Sequence, residues 1–167
     1  MNTSDHRADR RGDGRADAPA RASIVSGYFN PLHAGHLDLF EAARARTGYL
    51  VVIVNNDVQQ VLKKGKVILP EADRVRIVRS LRTVDDALVA VEDGPGLDGS
   101  LDLVRATYPD TELEFCNGGD RSDLDSLPAE EVEAARRNDI RLLYGVGGFE
   151  KADSSSRINT ELDLEGR

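Results

Sequence analysis

A doubly wound α/β sheet of five parallel strands, with helices on both faces, is the fold this sequence predicts. Three observations carry it. Short apolar runs alternate with helical stretches from residue 22 onward, and alternation of that kind gives a parallel sheet with helices packed on it. Tyr49–Val54 is nearly all apolar, as a strand covered on both faces must be. Residues 34–47 repeat their apolar positions (Leu37, Phe40, Ala43 to Ala45) at steps of three and four, the period of a helix.

The elements follow in order. Ala22–Ser26 is a first strand, ended by Gly27. The helix over 34–47 stops at Gly48, and Tyr49–Val54 is the second strand. Pro70 opens a helix that runs to Arg82, with Val75, Ile77, Val78 and Leu81 apolar. Residues 84–91 form a third strand. Leu97–Tyr108 is a helix ended by Pro109. Leu113–Cys116 is a fourth strand, Pro128–Arg137 a helix and Ile140–Tyr144 a fifth strand. A last helix starts near Ser154 with serine at its N-terminus.

Residues 1–21 hold five arginines, four aspartates and almost no bulky apolar side chain. Such a segment buries too little surface to offset its ordering entropy, so it reads as a disordered tail before a single domain over 22–167. It lacks the apolar core of a secretory signal.

Composition removes several functions. The chain of 167 residues carries 30 acidic against 22 basic side chains, a net charge of −8. That balance disfavours a nucleic-acid partner. No apolar run approaches the roughly 20 residues that span a bilayer. One cysteine, Cys116, makes no disulfide framework within the chain. These features together lead to the expectation of a cytoplasmic protein.

A doubly wound sheet binds its ligands at the carboxyl ends of its strands, so the residues after each strand are the place to look. After the first come Gly27-Tyr28-Phe29-Asn30-Pro31-Leu32-His33-Ala34-Gly35-His36. His33 and His36 lie three apart at a helix start, which puts both imidazoles on one face of the first turn. The unpaired N–H groups and the dipole of that turn favour an anion. Gly27 and Gly35 allow a close approach. A zinc site would need about four ligands, and only Cys116 and carboxylates remain to complete one, so no protein-held metal is expected.

The segment resembles the G-x-F-x-x-x-H-x-G-H signature of the cytidylyltransferase-like nucleotidyltransferases. Gly27, Phe29, His33, Gly35 and His36 match it, and Asn30 stands where many members have Asp. The resemblance implies a Rossmann-like fold and transfer of a nucleotidyl group with release of pyrophosphate. It implies CTP, ahead of ATP, as the donor, a small phosphate or phosphonate acceptor, and Mg²⁺ held mainly by the nucleotide phosphates. It also implies a homodimer. An adenylyltransferase acting on a sugar phosphate is the alternative within the class; a nucleotide-sensing module without turnover is the alternative outside it.

Three further segments complete the expected site. Lys63, Lys64 and Lys66 are three of only four lysines in the chain. They read as a flexible loop of ammonium groups able to fold over a triphosphate. Arg74 resembles the arginine that opens the family's next helix, with a ligand role and a structural role both open. Asn117-Gly118-Gly119-Asp120-Arg121 follows the fourth strand, where relatives line the nucleotide site with Gly-Gly-Asp. Cys116 beside it reads as packing. After the fifth strand come the fourth lysine, Lys151, and Ser154-Ser155-Ser156, similar to the family's phosphate-binding hydroxyl run. Gly147-Gly148-Phe149-Glu150 lacks the arginine that some members carry upstream of that run. His33, His36, Lys64 and Lys66 are the expected catalytic groups. Tyr28, the loop over 94–100 and the residues after Arg121 are expected to build the acceptor pocket.

Overall fold

The structure, a computed structural model, describes residues 18–119 and 127–148 together with 157, 158, 161 and 162. The chain runs β1 (Arg21–Gly27), α1 (Ala34–Thr47), β2 (Leu50–Val54), α2 (Asp57–Lys64), α3 (Glu71–Arg79), β3 (Asp86–Val89), α4 (Asp98–Thr107), β4 (Glu112–Cys116), α5 (Ala129–Arg137) and β5 (Ile140–Leu143). The strands form one sheet in the order β3-β2-β1-β4-β5. Every neighbouring pair is parallel. The expected Rossmann-like topology is therefore present, with the switch point between β1 and β4.

Alternation along the strands builds two cores. Ile24, Val51, Ile53, Leu113 and Phe115 face one side, where Leu101 and Val104 of α4 and Ala134 and Ala135 of α5 cover them. Val25, Leu50, Val52, Val54 and Cys116 face the other, against Phe40 and Ala43 of α1 and Val75 and Val78 of α3. All five residues of β2 are fully buried, which is why that strand shows no alternation in sequence. Gly48 closes α1 in the left-handed region, φ 84°, with its N–H bonded to Arg44 O.

Two expectations change. The fold begins before residue 22: Arg21 is in β1, the Glu112 N–H bonds Ala20 O, and the Thr111 hydroxyl bonds Pro19 O. Residues 18–21 therefore belong to the domain and not to the tail. The lysine segment is also a loop only at Lys66. Lys63 and Lys64 form the last turn of α2, which Gly65 closes at φ 78°. The helix was hidden because its pattern is inverted: Gln59 and Gln60 are its buried residues, while Val58, Val61 and Leu62 stand 50%, 50% and 62% exposed. Among the described residues, no helix is long and apolar enough to cross a membrane.

Candidate active site

The histidines cap the helix they begin. His33 is the N-cap of α1, in extended conformation. Its Nδ1 accepts the Gly35 N–H at 3.1 Å, while its own main-chain N–H donates to His36 Nδ1 at 3.2 Å. The rings stack with centroids 3.8 Å apart. An imidazole nitrogen that accepts carries no hydrogen, so the hydrogen-bond pattern assigns the hydrogen of each ring to Nε2. Each ring thus carries an Nε2–H donor just past the carboxyl end of β1.

The floor beneath them explains Gly27. The Phe29 ring is 2% exposed. It meets the His36 ring edge-on at 4.9 Å and the Phe40 ring at 5.3 Å. A Cβ on Gly27 would lie 2.8 Å from two carbons of that ring. Gly27 therefore makes room for a side chain of its own loop, and the expected close approach is to Phe29. Phe29 takes φ 51°, an uncommon conformation for an aromatic residue. The Asn30–Pro31 bond that follows is cis.

Asn30 serves the loop too. It is 1% exposed, and its Oδ1 accepts the Leu69 N–H at 2.8 Å. Asn30, expected among the nucleotide-binding residues, ties the histidine loop to the chain before α3. The Tyr28 ring carries the Lys63 ammonium 4.5 Å above its centroid, which brings α2 to the same loop. Lys66 follows Gly65 and is half-buried. At the end of α2, Lys63 and Lys64 also favour the helix dipole.

Arg74 resolves toward structure. Its side chain is fully buried, and its fork bonds Leu69 O, Tyr28 O, Asn55 O and Asp57 Oδ1 at 2.6 to 2.7 Å. Of the two roles left open for it, these bonds fit the structural one.

At β4, Asn117 is buried. Its N–H bonds Leu143 O and its Nδ2 bonds the same oxygen at 3.1 Å; its carbonyl accepts the Val146 N–H. Asn117 thus pins the ends of β4 and β5, and its side chain is occupied there. Gly118 and Gly119 continue beyond it, half-buried, on the edge that carries the histidines. Asp120, Arg121, Lys151, Ser154, Ser155 and Ser156 lie outside the described residues. Gly147 takes φ 85°, and a Cβ there would come within 3.3 Å of Leu39 Cα on α1. The Cys116 thiol is pushed up to about 12, chiefly by burial and then by the Glu114 charge, which fits packing and not nucleophilic use.

One cluster escaped the sequence reading. Asn56 caps α2 and Gln59 answers it: Asn56 Oδ1 accepts the Gln59 N–H and Gln59 Oε1 accepts the Asn56 N–H. Asn56 Nδ2 reaches Ala90 O and Glu92 O, and Gln59 Nε2 reaches Gly94 O and Gly96 O. The loop after β3, expected to border the acceptor, is thereby fastened to α2. Asn followed three residues later by Gln, just after an apolar strand, was the readable sign. Among the described residues, no group of three or more His, Cys, Asp and Glu could hold a metal ion.

A 3-2-1-4-5 parallel sheet with paired N–H donors and a helix N-terminus at its switch point defines an α/β domain of the nucleotide-binding kind. The family model described as cytidylyltransferase-like matches residues 24–140, and the chain belongs to that family. It is 31% identical over 145 residues to the Bifunctional protein HldE of Halorhodospira halophila, which covers 86% of this chain and 28% of that protein. The chain thus spans little more than a quarter of that relative. It is 35% identical over 88 residues to the FAD synthase of Pyrococcus horikoshii, covering 52% of this chain and 57% of that one. Among solved structures, a lipopolysaccharide core biosynthesis protein from Thermoplasma volcanium superposes with a TM-score of 0.56 at 22% identity, over 80% of this chain and 98% of that one.

Proposed function

We propose that this domain is a nucleotidyltransferase: an oxygen of a small phosphorylated acceptor attacks the α-phosphorus of a nucleoside triphosphate, and the bond to the bridging oxygen breaks to release pyrophosphate. The observation that carries this reading is the His33–His36 pair, two Nε2–H donors locked by the backbone of a helix N-terminus. Such donors strengthen as charge moves onto the phosphate oxygens. They cannot serve as bases, because Nε2 already holds the hydrogen and Nδ1 is engaged. None is needed, since a phosphate monoester with a second pKa of about 6 is already a dianion near neutral pH. Catalysis is then positioning and charge stabilisation. Lys64 and Lys66 neutralise the departing pyrophosphate, and Lys63 moves between Tyr28 and the phosphates. Gly118 and Gly119 border the nucleotide. Asp120, Arg121, Lys151 and Ser154 to Ser156 complete the proposed contacts.

The donor set of imidazole N–H and ammonium groups suits a nucleotide that brings its own cation, so Mg²⁺ is proposed to sit on the phosphates. When bound there it draws negative charge from the leaving group.

ATP is the proposed donor. The FAD synthase likeness supports it, because that relative's name specifies an adenine dinucleotide product. CTP is the second reading, favoured by the family description. The test is pyrophosphate release with ATP, CTP, GTP and UTP against sugar phosphates, nucleotides and phosphonates. Release with ATP and one acceptor class is expected. Release with CTP alone reverses the donor assignment. Nucleotide binding without release from any pair leaves the sensing module. The homodimer is carried as a proposal, with light scattering as its check.

A further inference from the structure

Arg74 holds three segments that meet at the phosphate site. Its Nε donates to Leu69 O at 2.7 Å, at the end of the stretch that follows Lys66. Its Nη1 donates to Tyr28 O at 2.7 Å and Asn55 O at 2.6 Å, which lie just past β1 and β2. Its Nη2 donates to Asp57 Oδ1 at 2.7 Å, on the first residue of α2. The same carboxylate oxygen accepts the Glu71 N–H, and Glu71 Oε2 accepts the Asp57 N–H at 2.6 Å. The N-termini of α2 and α3 thus cap each other around one guanidinium. The Asn30–Leu69 bond ties the same place to the histidine loop a second time.

The chemistry of this arrangement goes beyond what stability requires. A buried cation loses its hydration, and apolar replacements of buried ion pairs are often as stable or more so. What only a planar fork supplies is several fixed donor directions at once. Here those directions point at the carbonyls of the histidine loop and of the segments that carry the lysines.

Resting on the nucleotidyltransferase reading, we infer that Arg74 is a positioning residue, which sets the distance between the His33–His36 donors and the lysines of α2 and its following turn. It acts through Tyr28, Leu69 and Asp57 and touches no substrate. A misplacement of the lysines by about 1 Å weakens contacts made in the transition state, where rate losses of about 10²-fold are known for such shifts.

The test compares wild type with Arg74→Lys and Asp57→Ala; the latter removes the partly exposed carboxylate beside the buried guanidinium, so the folded fraction of each variant is measured alongside turnover. Val104→Ala, in the opposite core, is the control for general destabilisation. Turnover and KM for the nucleotide are measured, and the imidazole resonances are recorded, a simple spectrum because the chain has three histidines. For Arg74→Lys, a fall in kcat of about 30-fold or more with KM within about threefold is expected. For Asp57→Ala, a fall of about fivefold or more is expected, with the His33 and His36 resonances displaced in both variants and unmoved in the control. A folded Arg74→Lys with kcat within threefold of wild type overturns the inference. If Arg74→Lys does not fold, unchanged kcat in Asp57→Ala overturns it. If wild type releases no pyrophosphate from any donor, the nucleotidyltransferase reading fails separately; resonances of His33 and His36 that stay unmoved in both variants then overturn the positioning role.

Discussion

His33 donates its main-chain N–H to Nδ1 of His36, three residues on, and the two rings stack at 3.8 Å. Helix capping and the proposed phosphate contact therefore draw on opposite nitrogens of the same side chains. The two roles separate by substitution. His33→Asn keeps an excellent N-cap, which costs no more than a few tenths of a kcal/mol, yet removes one Nε2–H donor. Pyrophosphate release is expected to fall by about 10²-fold, about 3 kcal/mol, with the thermal midpoint nearly unchanged. A loss of stability without a loss of turnover would assign His33 to the cap alone. His36→Ala is expected to lose at least as much turnover with its circular dichroism intact.

Gly27→Ala tests the floor of the site. The added methyl would meet the Phe29 ring at 2.8 Å, and that ring supports His36. A destabilisation of about 1–3 kcal/mol is expected in urea unfolding, with a fall in kcat out of proportion to the fraction unfolded. Normal turnover in the folded variant would show that the ring moves without moving His36.

The Glu114 carboxyl, at the far end of the sheet, is expected to contribute to acid stability. Burial of Glu114 opposes its ionisation, but the Arg46 and Ser23 hydrogen bonds, the Arg46 charge and the Arg141 bond outweigh it and hold the carboxyl below its usual range. A depressed carboxylate contributes its stability in full above the unfolded value of about 4.3, and loses it as pH falls through the folded value. The urea midpoint of wild type is expected to drop as the pH is lowered below about 5. Glu114→Gln should start lower and show a flatter acid limb. Parallel limbs in the two proteins would place the acid sensitivity elsewhere.

The thiol of Cys116, pushed up to about 12 by burial first and the Glu114 charge second, is expected to resist alkylation at neutral pH in the native protein. It should react promptly in denaturant. Fast labelling of native protein, followed by mass spectrometry, would contradict its burial.

The sequence made some of this legible for physical reasons. An all-apolar strand such as Leu50–Val54 announces a sheet covered on both sides, and Leu37, Phe40 and Ala43 announce a helix. The histidine pair was visible because rare side chains at helical spacing stand out. The α2 helix was not, because its buried side chains are Gln59 and Gln60 and its exposed ones Val58, Val61 and Leu62; periodicity assigns such a helix the wrong face. Nor did a local pattern separate the structural from the ligand role of Arg74. Its partners Tyr28, Asn55, Asp57 and Leu69 come together only in the folded chain.

The order of the strands sets a timetable. The halves of the site follow β1 and β4, which lie side by side although Ser23 and its partner Glu114 are 91 residues apart in the chain. Closing a loop of that length costs about 4 kcal/mol beyond a constant term. The chain can form β1, β2 and β3 with their helices first, and still have only the histidine half of the proposed phosphate site. The Gly118–Gly119 half joins it when β4 docks on the open side of β1. A ligand that bridges the two halves is therefore a clamp on the longest-range seam of the sheet, and raises the melting temperature by holding shut the pairing that local contacts support least.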